Sequence, residues 1–402
     1  MSVAPEPAGE AGASTVASRM AGYLRGGGVI VPVVTALLAF AVGGIVVLLS
    51  GSDPFATYKA IFNGTGLNWL FPWISSEDRT IAAQNLQQTL LLSTPLMLTG
   101  LAVAYAFRAG LFNIGGQGQY IVGAIASVWV GSSFSGMPHL LHVILCILAA
   151  MAAGALWGGL AGWLKAATGA HEVISTIMLN YVALWVGVWL FGLGGPLQSD
   201  TQRSIPVSND VVAGAKLPVF WGDPELQGLH VGLFIAIAAL VVFWVVLERS
   251  VQGYEARAVG FNPDAAEYGG ISAGRTYVKV MLLCGLFAGL GGAMDVLGWQ
   301  FRIATNDLQT LQLGFLGIAV ALLGRNTAVG CFFGALLFGG LLNGTSVRNL
   351  DPTIFDPQLA TNLTNIIQGL IVLFVSAPII VTWLWLGARR LRLTRRAEEP
   401  AA

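Results

Sequence analysis

Long stretches with few or no charged residues run along this chain, and short charged segments separate them. Because a helix needs about 20 apolar residues to cross the hydrocarbon core of a membrane, each stretch predicts a membrane-spanning helix. The run 109–164 is divided into two spans because glycine, serine and proline cluster near residues 131–138. The ten predicted spans are 29–50, 82–107, 116–134, 139–164, 173–193, 229–247, 277–299, 309–324, 328–346 and 364–387.

The distribution of Lys and Arg predicts the orientation of these spans. With the N-terminus inside, the inner segments hold 14 of the 20 basic residues and the outer segments hold 6. Basic residues accumulate on the cytoplasmic side, so both termini are predicted to be cytoplasmic, which agrees with an even number of spans. We therefore predict an all-α polytopic membrane protein.

The same pattern divides the chain into regions. We predict a disordered cytoplasmic tail over 1–28, a transmembrane domain over 29–388 and a basic cytoplasmic tail over 389–402. Two outer segments are long, 51–81 and 194–228. The first begins at Asp53-Pro54 with an expected amphipathic helix, because apolar side chains recur there at helical spacing.

Composition supports a membrane location. The chain is 55% hydrophobic and 10% charged, whereas soluble domains are about 25% charged. A net charge of +0 argues against nucleic-acid binding. Cys146, Cys284 and Cys331 lie in apolar runs without metal or disulfide spacing, so buried and unreactive thiols are expected.

Sequence signatures of catalysis are missing. The chain has no phosphate-binding loop, no dinucleotide fingerprint and neither the zinc-protease nor the serine-hydrolase motif. The four histidines are scattered near predicted span ends, where helix capping or an interfacial position is the simpler interpretation. We expect neither an enzyme nor a metal site.

Polar residues inside the predicted spans are candidates for a solute path, since such residues are costly in a membrane and usually face a cavity or another helix. Asn113, Gln117 and Gln119 accompany four glycines between Ala109 and Gln119 and predict a broken or late-starting third helix. Asn180 and Tyr181 lie in the middle of the fifth span. For all five, contact with solute and hydrogen bonding between helices both remain open. For Asp295, near the end of the seventh span, we expect a local ion pair near the outer surface.

The inner loop 248–276 is long enough to hold a folded element. Asn262 can cap a helix that has Pro263 at its first position, Asp264 and Glu267 in its early turns, and glycines after its end. A short exposed helix is predicted. It is either a simple connection or a rigid docking element for a cytoplasmic partner.

Four stretches resemble permease subunits of ATP-binding-cassette importers for simple sugars and nucleosides. The run RAVGFNPDAAEYGGI (257–271) is similar to the family's coupling segment. The others are FRAGLFNIGGQGQ (107–119), EVISTIMLNYVALW (172–185) and GFLGIAVALLGRN (314–326), which lie in the expected order. The stretch 107–119 resembles the nucleoside-type branch, although Gln117 stands where that branch commonly has an acidic residue.

The resemblance implies a type II-like importer fold in the inner membrane, with 29–388 as the permease domain. It also implies a second permease (a paralogue or a copy of this chain), an extracellular solute-binding lipoprotein, and cytoplasmic ATPase subunits that bind ATP and Mg, while this chain binds no cofactor. The solute would be a nucleoside or a related neutral sugar. The implied contacts with the ATPase are Arg257, Gly260, Asn262, Pro263, Asp264, Ala265, Ala266 and Glu267.

Two other classes of membrane protein are possible from the sequence. An ion-coupled secondary transporter also uses broken helices, but it needs intramembrane acids, and Asp295 is the one available. A membrane enzyme of lipid metabolism needs a cluster of Asp, Glu or His near one membrane face, which the sequence does not offer. Both alternatives are less consistent with the pattern than a permease is.

Overall fold

The computed structural model describes residues 30–223, 228–310, 312–346, 348–349 and 356–376, and this part of the chain is mostly helical. Its helices are α1 (Ile30–Leu49), α2 (Pro54–Gly64), α3 (Ser76–Arg108), α4 (Gly116–Ser133), α5 (His139–Thr168), α6 (Glu172–Phe191), α7 (Gly232–Arg249), α8 (Val251–Phe261), α9 (Pro263–Tyr268), α10 (Ala273–Asp295), α11 (Thr305–Thr310), α12 (Leu313–Leu323), α13 (Ala328–Gly344) and α14 (Pro357–Ser376).

Helices overlap each of the ten predicted spans, and the tenth span is described as far as Ser376. Within the described residues, seven helical segments are long and apolar enough to cross a membrane, and α13 and the apolar part of α14 are shorter. Helix α4 has 18 residues but is not among these seven segments, because the glutamines in its first turn make it less apolar. The protein is therefore a polytopic all-α membrane protein, as the sequence predicts.

Three boundaries differ from the prediction. Helix α3 begins six residues earlier than the predicted span because Ser75 caps it by accepting a bond from the Asp78 amide. The predicted span 309–324 is divided between α11 and α12. Helix α10 ends at Asp295 and continues as a π-helical turn over Val296–Gln300, which closes at Phe301 in the left-handed region.

Helices α3 and α10 form the buried centre of the bundle, whereas α1, α5 and α6 keep most of their surface exposed. Small residues let α5 and α10 approach closely. A β-carbon on Gly154 would lie 2.3 Å from the carbonyl oxygen of Gly285, and one on Gly158 would lie 2.4 Å from that of Met281. The glycine face of α5 thus packs inside the subunit.

The predicted outer segment 194–228 is more ordered than a simple loop. It contains strand β1 (Val219–Trp221), which pairs antiparallel with β2 (Leu229–His230). The amide of Leu217 donates to the carbonyl oxygen of Leu297 at 2.9 Å, so this segment covers the end of α10. Residues 224–227 lie outside the described part.

The other predicted outer segment, 51–81, contains α2, whose first amides are capped by the Asp53 carboxylate as expected. The apolar side chains of this helix are divided between the bundle and the surface. Ile61 is buried and Tyr58 donates its hydroxyl to the Phe40 carbonyl on α1, while Phe55 is exposed. The helix is held against the bundle by part of its apolar residues and exposes another part.

The predicted tails 1–28 and 389–402 lie outside the described residues, as does the end of the tenth span beyond Ser376. The predicted cytoplasmic position of both termini stays a prediction.

Candidate functional site

The segment that joins α3 to α4, residues 108–119, is called the junction here. Its chain turns at Gly110, which has a φ of 69°, and α4 then begins at Gly116. A left-handed φ favours glycine because it has no β-carbon to clash with the backbone. The late-starting helix that the sequence predicts is confirmed, and it begins among buried residues.

Two amides close the junction on itself. The Asn113 Nδ2 donates to Gln119 Oε1 at 3.0 Å, and the Gln119 Nε2 donates to Asn113 Oδ1 at 3.1 Å. Both side chains are fully buried. Since an unpaired buried amide is destabilising by about 1–3 kcal/mol, this reciprocal pair allows polar groups to lie within the bundle.

Asn180 connects the middle of α6 to the junction. Its Oδ1 accepts a hydrogen bond from the Gly118 amide at 2.7 Å, and its Nδ2 donates to the Ile114 carbonyl at 2.9 Å. Asn180 is buried, whereas the neighbouring Tyr181 is 58% exposed on another face of α6. The structure therefore groups Asn180 with the junction amides and separates Tyr181 from them.

Gln117 connects the junction to the start of α12. Its Oε1 accepts a hydrogen bond from the Gly314 amide at 2.8 Å. A β-carbon on Gly314 would lie 2.3 Å from the Gln117 α-carbon, so glycine permits this approach. A carboxylate oxygen would accept the same bond, so this contact is compatible with either Gln or Glu at position 117.

Arg108 connects the junction to the far end of α12. Its Nε donates to the Asn326 carbonyl oxygen at 3.1 Å. Arg325 and Asn326 have φ values of 51° and 54°, a conformation that is uncommon outside glycine. The bond from Arg108 thus holds the tight turn between α12 and α13.

Gly260 brings the inner loop against the same segment. A β-carbon on Gly260 would lie 2.6 Å from the carbonyl oxygen of Arg108, and one on Gly110 would lie 3.0 Å from the Gly260 α-carbon. The end of α8 is therefore in backbone contact with the junction. A displacement of α8 must also displace the junction, because two backbones at this distance cannot move past each other freely.

The short capped helix that the sequence predicts is α9. Asn262 Oδ1 accepts a bond from the Ala265 amide at 3.0 Å, Pro263 occupies the first position, and the helix ends before Gly269. Asn262, Pro263, Asp264, Ala265 and Glu267 are exposed.

Besides Gly260, which lies against the junction, two other expected contact residues are not free at the surface. Ala266 is buried in a small cluster with Val259 and Ala273, so it holds α9 in place instead of facing outward. The guanidinium of Arg257 is 26% exposed and lies 3.7 Å from the Glu248 carboxylate, which holds α8 against the end of α7. The surface that α9 exposes is formed by its other residues.

Sequence reasoning missed two residues at the ends of α9. Phe261, the last residue of α8, is 90% exposed, and Tyr268, the last residue of α9, is 98% exposed. Large aromatic side chains in water are unfavourable and mark interaction sites when they cluster. Aromatic residues that flank a capped helix were the available signal.

The expectation of an ion pair at Asp295 is wrong. The carboxylate is buried and accepts hydrogen bonds from the Tyr120 hydroxyl, the Trp299 indole and, at 2.7 Å, the Gln300 amide. Arg302 lies instead 4.0 Å from Asp210. The carboxylate is stabilised by neutral donors because α10 ends in a π-helical turn that directs Trp299 and Gln300 back toward it.

A polar cavity of about 390 Å³ lies at the C-terminal ends of α4 and α6, beside the predicted outer segment 194–228. Trp129 and Phe191 supply aromatic surface, and Gln198, Asp200 and Asn209 of the segment 194–228 supply polar groups. Small-molecule sites commonly combine apolar walls with a few polar groups and have volumes of roughly 300–1,000 Å³. The cavity therefore has the size and chemistry for a small polar solute.

Known proteins provide an independent comparison. The family described as "Branched-chain amino acid transport system / permease component" matches residues 85–376. The chain is 38% identical to the guanosine ABC transporter permease protein NupP of Bacillus subtilis, over 87% of this chain and 93% of that protein.

Two further relatives are similar over comparable lengths. Identity is 34% to the nucleoside ABC transporter permease protein NupB of Lactococcus lactis, over 88% of this chain and 92% of that protein. It is 35% to the glucose ABC transporter permease protein TsgB13 of Haloferax volcanii, over 86% of each. With the polytopic helical fold, these matches show that the chain belongs to the branched-chain amino acid transport system permease family and is a multi-pass membrane permease of an ABC transporter.

Proposed function

We propose that this chain is the permease subunit of an ATP-driven importer that translocates nucleosides or related neutral sugars. Relatives named for guanosine and for nucleosides, and a third named for glucose, support this class of solute. Amide and aromatic groups in the polar cavity are suited to a polar solute, and its Asp200 carboxylate lies 3.9 Å from the Arg203 guanidinium. The chain itself carries out no covalent chemistry.

The observation that carries this proposal is the convergence of three other stretches of the chain on the junction. Asn180 of α6 binds two backbone groups of the junction, and Gln117 of the junction binds the start of α12. Arg108 binds the turn after α12, and Gly260 of α8 lies against the backbone of the junction. The junction therefore links the inner loop to α4, α6 and α12. A force on α8 and α9 is transmitted to three membrane helices at once.

The motor belongs to other chains. Two cytoplasmic ATPase subunits bind ATP and Mg, and one of them holds α9 in a surface groove. Phe261 and Tyr268 are the apolar contacts, and Asp264 and Glu267 are the polar ones. Closure of the ATPase pair moves α8 and α9, and Gly260 passes that movement to the junction. The solute path then switches between outward and inward openings.

The remaining partners follow from the orientation that Lys and Arg favour, with both termini and α9 in the cytoplasm. An extracellular binding lipoprotein delivers the solute to the outer segments 51–81 and 194–228. A second permease, a paralogue or a copy of this chain, completes the path. The amides of Asn113, Gln117, Gln119 and Asn180 support the path mainly by positioning its helices, since all four bind protein groups.

Uptake by liposomes tests the proposal. The assembled transporter with its binding protein is reconstituted, and uptake of labelled guanosine is measured with ATP and with a non-hydrolysable analogue. We expect accumulation with ATP alone, and competition by inosine, adenosine or cytidine that exceeds competition by ribose or galactose. Equal accumulation under both conditions would refute an ATP-driven importer, and competition by galactose alone would refute the nucleoside class.

A further inference from the structure

A large crevice lies on the side of the subunit, between α1, α7 and α13, at the membrane face that carries α9. Its volume is about 1190 Å³, above the roughly 300–1,000 Å³ of typical small-molecule pockets. Its walls are apolar, with Val33 from α1, Phe243 and Leu247 from α7, and Phe333 and Leu337 from α13. Its depth and lining suit hydrocarbon chains more than a polar solute.

The crevice opens toward the surroundings of the bundle. Val329 is 69% exposed and Phe333 is 64% exposed, although both belong to an apolar membrane helix. Apolar side chains that remain exposed on such a helix contact acyl chains when the protein is in a bilayer. The crevice is therefore accessible from the lipid phase.

One end of the crevice is basic. Arg108 ends α3, Arg249 ends α7, and Arg325 lies in the turn after α12, and all three line the crevice. Glu248 also lines it, but this carboxylate lies 3.7 Å from the Arg257 guanidinium, so its charge is paired. Of the described charged residues that line this end, three are basic and one, Glu248, is acidic.

Arg249 is held at this boundary by an aromatic residue. Its guanidinium carbon lies 5.2 Å from the centre of the Trp244 ring, and Trp244 also lines the crevice. Tryptophan and arginine together are typical of the level of lipid headgroups. The arginine end thus matches the headgroup region and the apolar walls match the acyl region.

We propose that this crevice binds one anionic phospholipid of the cytoplasmic leaflet, with the headgroup phosphate between Arg249 and Arg325 and the acyl chains along α1, α7 and α13. Basic pockets between membrane helices on the cytoplasmic side are suited to anionic headgroups. The nearness of Arg108 places the bound headgroup beside the junction. The proposal rests on the membrane location of the chain and on the orientation that Lys and Arg favour, not on the identity of its solute.

Native mass spectrometry of the delipidated full-length chain tests the proposal. Phosphatidylglycerol and phosphatidylcholine with identical acyl chains are titrated separately. We expect phosphatidylglycerol to bind more tightly, and each of Arg249→Gln and Arg325→Gln to weaken it by about fivefold, the effect of removing one basic residue near a headgroup. Arg302→Gln, at the opposite end of the bundle, is the matched control and should leave binding unchanged.

Val329→Trp keeps the arginines and fills the mouth of the crevice. It should weaken both lipids to a similar extent, which tests the acyl site separately if an arginine variant unfolds. Equal binding of the two lipids to the unmodified chain would overturn the proposal, and so would undiminished phosphatidylglycerol binding by the folded double arginine variant. Efficient disulfide cross-linking of Val329→Cys to a second permease subunit in the assembled transporter would show that a protein covers the crevice instead.

Discussion

Gly260, at the end of α8, lies in backbone contact with Gly110, where the chain turns between α3 and α4. The two residues are far apart in sequence, and because both are glycines, no side chain indicates this contact in the sequence. A β-carbon at residue 260 would lie 2.6 Å from the Arg108 carbonyl oxygen, closer than a β-carbon approaches another atom in proteins. Through this contact the inner loop touches the segment that joins α3 to α4.

Gly260→Val should uncouple the subunit. The added side chain must displace α8 from the junction, so we expect solute-stimulated ATP hydrolysis by the assembled transporter to fall roughly tenfold, within the usual range of coupling energies of about 1–3 kcal/mol. The basal hydrolysis rate and recovery of the ATPase with the permease should change little. Gly274→Ala is the control, because its β-carbon would lie at an ordinary 3.5 Å from Ala166. Normal stimulation by Gly260→Val would contradict transmission through this contact.

Asn180→Ala should destabilise the protein by about 1–3 kcal/mol, since it leaves the Gly118 amide and the Ile114 carbonyl without their partner. Tyr181→Ala, the exposed neighbour, should have a much smaller effect. Thermal unfolding in detergent measures both. If instead Asn180→Ala unfolds normally while solute affinity falls, Asn180 contacts solute and does not primarily hold helices together.

Asn262→Ala should loosen α9 by about 1 kcal/mol, because it removes the cap on the Ala265 amide. Hydrogen exchange of the amides in 264–268 should become faster, and binding to the ATPase should weaken by about fivefold. Asn262→Ser keeps an oxygen at the cap and should restore both properties. Failure of serine to restore them would mean that Asn262 acts through a direct contact with the ATPase.

Asp295→Asn should lower thermal stability by about 1–3 kcal/mol, since an amide cannot accept from the Tyr120 hydroxyl, the Trp299 indole and the Gln300 amide together. Uptake driven by ATP should remain independent of an imposed pH gradient in the unmodified protein and in the variant. A pH gradient that drives uptake without ATP, and loses this effect in Asp295→Asn, would favour proton coupling instead.

The sequence predicts the helices well because their physical causes are local. Uncharged runs mark the spans, and Asn262 with Pro263 specifies where α9 begins. The chemistry of the junction was also visible as amides among glycines. Their partners were not, because the bonds of Gln117 to Gly314 and of Arg108 to Asn326 join residues about 200 positions apart.

Other features depend on the folded structure as a whole. Whether Asn180 or Tyr181 faces inward depends on how α6 is rotated, and a single helix pattern does not determine that. Asp295 was expected to pair with a cation, but the π-helical turn after it brings neutral donors instead. The exposure of Phe261 and Tyr268 follows from the way Ala266 anchors α9, a contact that the sequence does not indicate.

The central claim is that α9 receives the work of an ATPase and passes it to the solute path. The double variant Phe261→Ala, Tyr268→Ala removes the exposed aromatic surface on both sides of α9 and leaves the Asn262 cap and the Gly260 contact in place. Tyr254→Ala, which removes an aromatic side chain that is 62% exposed on α8, is the matched control.

ATP-dependent uptake of labelled guanosine by liposomes is the most direct measurement. With the ATPase and the binding protein present, we expect the double variant to lose at least about 90% of the uptake, a loss of roughly 1.4 kcal/mol or more in coupling, while Tyr254→Ala transports normally. Undiminished uptake by a correctly inserted double variant would contradict the claim.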